Sequence, residues 1–387
     1  MKWPDRAVTV QAPATSANLG PGFDALGLAL TLHDVVEVRV TDGGLAIDVC
    51  GEAEETAGAG ERHLVVRAMR AAFGLLGGQP PGMALRCVNA IPHGRGLGSS
   101  AAAIVSGLLA ARALVRDGES LLPDHGLYRL AAELEGHPDN VAACLAGGFT
   151  IAWPAGLPGG EPAPGQGNHA AAGRNGDPAA GATAPRLVTL PVAEEVQPVV
   201  CVPAEPVATA AARRALPASV PHGDAAANAG RAALLVAALT GQPGLLLDAT
   251  EDFLHQPYRA PVMPHTADLV ARLRAAGIAA VVSGAGPSVL ALTLRGRDEE
   301  ALKVDSIAGE AGIAWRVIPL DIDRYGAAVH LPWPEAHLPL GTRRVRSWNY
   351  QEPDPRVRPA GTSPQDKAAS AVTHGPPSRE CLGRSWC

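Results

Sequence analysis

The chain has 387 residues, 47% of them hydrophobic, and a formal net charge of -6. That is ample apolar material for two modest cores or one large one, and it offers no basic field for a phosphate backbone, so a nucleic-acid partner is not expected. The six cysteines form no Cys-x-x-Cys pair, no stretch reaches the roughly 20 apolar residues of a membrane span and the start lacks a secretory pattern, so reduced thiols, a cytoplasmic location and no membrane partner are the expectation.

In chain order, strands are predicted at Ala7–Ala14, Val35–Val40, Leu45–Cys50 and Met83–Asn89, where β-branched or apolar residues lie between turn signals. Helical patterns cover Glu61–Leu76, Ser99–Arg116, Asp124–Glu135 and Pro138–Leu145. Residues 155–184 are mostly Gly, Pro and Ala without an apolar period and read as a disordered insertion. Beyond it, strands are predicted at Leu187–Val192, Pro198–Pro203, within Ala279–Leu294 and at Trp315–Leu320. Helices are predicted at Thr209–Leu216, Asp224–Thr240, His265–Ala276 and Asp298–Gly312. Residues 331–387 hold nine prolines and no hydrophobic alternation and read as a disordered tail, although Trp333, Trp348 and Trp386 lie in it. This mixed order predicts an α+β fold divided into residues 1–154 and 185–330.

Five segments carry chemistry. Pro92-His93-Gly94-Arg95-Gly96-Leu97-Gly98-Ser99-Ser100-Ala101-Ala102 places three alternating glycines before a helix, which suits a phosphate cradle: glycine admits a close backbone approach, and the helix start offers unpaired N–H groups. It is neither a P-loop nor a Gly-x-Gly-x-x-Gly fingerprint. Asn18 and Asp24 lie in a Gly/Pro-punctuated loop after the first strand, where they either orient a substrate or cap their own backbone. In Glu133-Leu134-Glu135-Gly136-His137-Pro138-Asp139-Asn140, Glu135 offers a hard oxygen for Mg²⁺, with Glu133 as the alternative; His137 and Asn140 can fix a polar group, and plain helix punctuation explains the same pattern. Thr209 and Arg213 share a helical face, and Arg259 follows a Pro-broken turn; a guanidinium fork suits a carboxylate, whereas most arginines are solvated surface. A second glycine loop, with Gly284 and Gly286, lies between apolar strands.

Together, over roughly residues 7–330, these segments resemble the GHMP small-molecule kinases. Ala-Asn-Leu-Gly-Pro-Gly-Phe-Asp and Glu-Gly-His-Pro-Asp-Asn are similar to the homoserine kinases in particular. The resemblance implies an N-terminal ribosomal-protein-S5-like domain, a ferredoxin-like C-terminal domain and ATP-dependent phosphorylation of the L-homoserine hydroxyl. It implies that Pro92 to Ala102 wrap ATP, with Gly284 and Gly286 near the phosphates, and that Ser100 (or Ser99) and Glu135 hold Mg²⁺. Asn18, Asp24, His137, Asn140, Thr209, Arg213 and Arg259 would then surround the amino acid, Asp24 orienting it in preference to acting as base. A homodimer is a further expectation of the resemblance. A sugar or mevalonate-type acceptor, and a nucleotide-binding regulator without catalysis, stay open. The insertion and the tail depart from the family's compact pattern.

Overall fold

The computed structural model describes Trp3 and residues 6–154, 185–207 and 209–330. The expectations for residues 155–184 and 331–387 lie outside the described residues.

Apolar, β-branched segments build the first sheet from β1 (Val8–Ala17), β2 (Leu26–Thr41), β3 (Gly44–Gly51), β4 (Gly82–Asn89), β5 (Phe149–Trp153), β6 (Arg186–Leu190) and β11 (Ala328–His330). Its order is β11-β1-β2-β4-β3, with β5 on β2 and β6 on β5. Only β3 and β4 are parallel, and α1 (Leu64–Leu75) makes the crossover that parallel strands require. β2 begins nine residues before the expected Val35, because β1 and β5 pair with its first half. β6 and β11 both lie beyond residue 185 and pair in the first sheet.

The second sheet is antiparallel, in the order β10 (Trp315–Pro319), β7 (Val196–Pro203), β9 (Val289–Leu294), β8 (Ala279–Val282). With α10 (Pro264–Ala275) before β8 and α11 (Asp298–Gly309) between β9 and β10, it is a βαββαβ unit of ferredoxin-like type. Between β7 and α10 the chain inserts α6 (Thr209–Arg214), α7 (His222–Thr240), α8 (Leu246–Ala249) and α9 (Gln256–Arg259).

The remaining helices are α2 (Ser99–Ala113), α3 (Gly118–Leu121), α4 (Asp124–Glu135) and α5 (Asp139–Ala146). α2 is apolar on every side and accordingly buried along most of its length, between β1, α1, α4 and α5. Gly107 permits this: a Cβ there would come 2.5 Å from the Val65 carbonyl of α1. Each large core side chain, such as Phe73 or Phe149, stabilises the fold by about 1.5–3 kcal/mol through burial. That packing fixes the two ends the site depends on, the start of α2 and the end of α4.

Candidate active site

Gly94, Gly96 and Gly98 all adopt positive φ, of 66°, 73° and 70°, as the alternation predicts. Gly98 precedes α2 without a side-chain cap, so the first N–H groups of that helix are left for an external acceptor. Ala101 and Ala102 are buried and can offer only backbone, and the Arg95 guanidinium is spent on the carbonyls of Pro203, His93 and Ala204, which pins the loop to the end of β7.

Two other segments brace the loop. The Thr15 amide donates to the Leu97 carbonyl at 3.0 Å, and the Thr15 hydroxyl donates to Asn140 Oδ1 at 2.7 Å, which ties β1 to the start of α5. From the β8–β9 turn, Ser283 Oγ donates to the Gly96 carbonyl at 2.7 Å, and the Gly284 amide to the Ala17 carbonyl at 3.1 Å. Gly284 and Gly286 thus stand directly against Gly96.

Asn18, Leu19 and Asp24 are non-glycine residues at positive φ, a strained geometry that the surroundings must hold. Asn18 does the holding. It is only 4% exposed, donates from Nδ2 to the Gly284 carbonyl at 2.7 Å and accepts the Asp24 amide on Oδ1 at 2.9 Å. Its amide therefore joins two loops and keeps one N–H and one lone pair beyond these bonds. Asp24 projects into a bidentate pair with Arg213, Nη2 to Oδ1 at 2.9 Å and Nη1 to Oδ2 at 3.2 Å. Thr209 opens α6, but its side chain lies outside the described residues.

Arg259 is 1% exposed and reaches the Ala212 and Gly284 carbonyls from Nε and Nη1, both at 3.3 Å. Its surroundings include the charges of Arg213, Asp24, Asp252 and Asp139, and burial and the Arg213 charge together make its cation harder to maintain.

At the far end of the glycine loop, Ser100 Oγ donates to Glu135 Oε1 at 2.6 Å. Burial pushes the Glu135 carboxyl above its ordinary range, only partly offset by the Ser100 hydroxyl and by His137. A half-buried carboxylate beside a hydroxyl is a donor set that fits a hard cation. Glu133 is exposed and faces Arg129 at 3.8 Å, so Glu135 is the carboxylate of this corner. No cluster of three or more His, Cys, Asp or Glu ligands exists among the described residues, so such a cation would depend on substrate oxygens.

His137 Nδ1 lies 2.7 Å from Asp139 Oδ1, which also accepts the Asn140 amide at 2.8 Å. Burial works against the His137 cation, but the Asp139 hydrogen bond and the Asp139 and Glu135 charges outweigh it and raise its pKa. The Arg213 charge also acts on His137, in the opposite sense.

Asp139, Thr15, Ser283, Phe23 and His255 were not singled out by the sequence patterns, though all are built into this site. Asp139 at the first position of a helix was a usable signal; the others carry none locally. A cavity of about 730 Å³ lies elsewhere, around Leu109, Arg112 and Tyr128, roughly 20 Å along α2 from its start.

Residues 63–148 match the model of the GHMP kinases N terminal domain, and residues 234–306 that of the GHMP kinases C terminal. The chain is 53% identical over 336 residues to the homoserine kinase of Streptomyces coelicolor, covering 87% of this chain and 96% of that protein. It is 55% identical over 323 residues to the homoserine kinase of Streptomyces avermitilis, covering 84% and 95%. Among solved structures it resembles the homoserine kinase from Cytophaga hutchinsonii with a TM-score of 0.65 at 26% identity, over 85% of this chain and 98% of that one.

Proposed function

The chain belongs to the homoserine kinases of the GHMP group, and on that premise we propose which of its residues serve the transfer of a phosphoryl group from ATP to the side-chain hydroxyl of L-homoserine. The observation that carries the assignment is the Asp24–Arg213 pair. A free amino acid brings one ammonium and one carboxylate. Inserted between the two side chains, it exchanges one ion pair for two, Asp24 taking the ammonium and Arg213 the carboxylate, and leaves no charge uncompensated. A sugar has neither charge and mevalonate only one, so neither matches both side chains once the pair opens.

Arg259 supplies a second cation behind Arg213 for the same carboxylate, and Asn18 keeps the Asp24 loop in its strained shape. His137, with Nδ1 committed to Asp139, has Nε2 for the substrate or a phosphate oxygen. Backbone N–H groups of Gly94 to Ser100 and the start of α2 receive the triphosphate. Ser100 and Glu135 would hold Mg²⁺, which when bound neutralises charge on the phosphate oxygens. With Asp24 committed to the ammonium, these residues act by alignment and charge balance, which suits the loose transition state of phosphoryl transfer. The thiols of Cys87, Cys144 and Cys201 fit a reducing cytoplasm, and no helix among the described residues is long and apolar enough to cross a membrane.

A coupled ADP-forming assay across homoserine, galactose and mevalonate tests this reading. Mg²⁺-dependent turnover with homoserine alone is expected; turnover with another alcohol, or binding of ATP and homoserine without product, would overturn it.

A further inference from the structure

His255 belongs to none of the assigned groups, yet it is fully buried and both ring nitrogens are engaged. Nε2 lies 2.8 Å from the Gly20 carbonyl, which can only accept, so Nε2 carries the proton. Nδ1 lies 3.2 Å from Arg259 Nη1, which can only donate, so Nδ1 carries the lone pair. The partners thus fix one neutral tautomer. The ring also stacks on Phe23 with centroids 5.2 Å apart, and the Arg259 guanidinium carbon lies 5.4 Å from the same Phe23 ring. Phe23 immediately precedes Asp24, so one side-chain stack joins the ammonium-binding loop to the second cation.

We infer that His255 is a positioning residue that aims the Arg259 guanidinium at the substrate carboxylate through a neutral Nδ1 acceptor; this rests on the reading of Arg259 given above. Neutrality is the point of the device. A carboxylate in the place of His255 would orient Arg259 equally well, but it would cancel the positive charge the substrate needs. Burial is the largest influence on His255 and disfavours its cation. The Arg259 charge acts the same way, against the charges of Asp252 and Asp24 and the Gly20 carbonyl. Asp252 stands 3.5 Å from Nε2, but its carboxylate accepts the amides of Leu254, His255 and Gln256 at 3.0, 3.1 and 2.6 Å, and so orders the turn.

Two substitutions divide the functions of the ring. His255→Asn keeps an oxygen near Nδ1 and loses the Gly20 bond; His255→Gln keeps a donor near Nε2 and loses the acceptor for Arg259. The expected result is a KM for homoserine raised about tenfold in H255Q, well above that in H255N, with the KM for ATP unchanged in both. In an Arg259→Lys background H255Q should add little, because its effect runs through Arg259. Equal homoserine KM values in H255N and H255Q, or full additivity with R259K, would reduce His255 to a structural residue and overturn the inference. Nitrogen NMR of the labelled wild-type protein gives a readout that no folding defect can confuse: an Nε2–H tautomer supports the proposal, an Nδ1–H tautomer or an imidazolium at neutral pH defeats it. If the wild type fails to phosphorylate homoserine, it is the underlying reading that fails, before any variant is compared.

Discussion

Arg213 on α6 grips Asp24 through both ends of its guanidinium, at 2.9 and 3.2 Å, across 189 positions of sequence. Both side chains are more than a third exposed, so the pair itself adds little to stability and can open at small cost. Arg213→Ala should therefore leave the melting temperature nearly unchanged. It should lower kcat/KM for homoserine by about 100-fold or more, as expected when a buried charge of the substrate loses its fork. Steady-state kinetics at saturating ATP checks this. Unchanged kcat/KM would remove Arg213 from the site and with it the case for an amino-acid acceptor.

The three loop glycines should differ in what they tolerate. A Cβ at Gly98 would stand 1.9 Å from Thr15 Oγ1, and one at Gly96 2.2 Å from the Ser283 carbonyl, whereas at Gly94 the nearest atom is Pro206 Cβ at 3.4 Å. Gly94→Ala meets only the left-handed backbone penalty, about 1–2 kcal/mol. Gly96→Ala and Gly98→Ala must also move the brace around the loop. The KM for ATP should rise modestly in G94A and at least about tenfold in G96A and G98A; equal effects at all three positions would show that loop shape is not what binds the nucleotide.

The backbone of the glycine loop was legible, because alternating glycines before a helix admit positive φ. The Asp24–Arg213 pair was legible only as two separate candidates, since nothing local says that α6 folds back onto the β1–β2 loop. The first half of β2 went unread because Leu26 to Leu32 is a near-continuous apolar run, and only the neighbours β1 and β5 decide that it extends. Nor did the sequence show that β6 and β11 pair in the first sheet, and β11 was not read as a strand at all: strand pairing is a long-range property. The Phe23–His255–Arg259 stack combines segments more than 200 residues apart, and its ring nitrogens acquire meaning only from the Gly20 carbonyl and the Arg259 guanidinium.

Glu135→Gln should separate cation binding from nucleotide binding. The amide keeps the hydrogen bond with Ser100 but removes the charge. The expected outcome is a Mg²⁺ requirement shifted upward and kcat reduced about 100-fold or more, with Glu133→Gln close to wild type because that side chain faces Arg129. The raised Glu135 pKa adds a sign to the pH profile. As pH falls, Glu135 takes up a proton earlier than an ordinary glutamate, so activity should decline on the acid side at a higher pH than usual. Added Mg²⁺ should move that limb to lower pH by competing with the proton. A limb indifferent to Mg²⁺ would rule out Glu135 as a ligand.

Asp34 gives a stability test independent of catalysis. Its Oδ1 accepts the Ala90 and Ile91 amides at 2.8 and 2.9 Å and so anchors the base of the glycine loop. Burial pushes its pKa up from 3.8 to about 7, against those two hydrogen bonds. Between these values the folded state holds a proton that the unfolded chain has released. Stability must therefore fall as pH rises through this window, by at most about 1.4 kcal/mol per pH unit from this group, and level off above it. Asp34→Asn keeps an acceptor for both amides and cannot ionise, so it should lose this slope and gain on the wild type as pH rises from 5 to 8. Melting temperatures of the two proteins across that range decide the matter: parallel curves would mean that Asp34 is already ionised in the fold, held by the two amides alone.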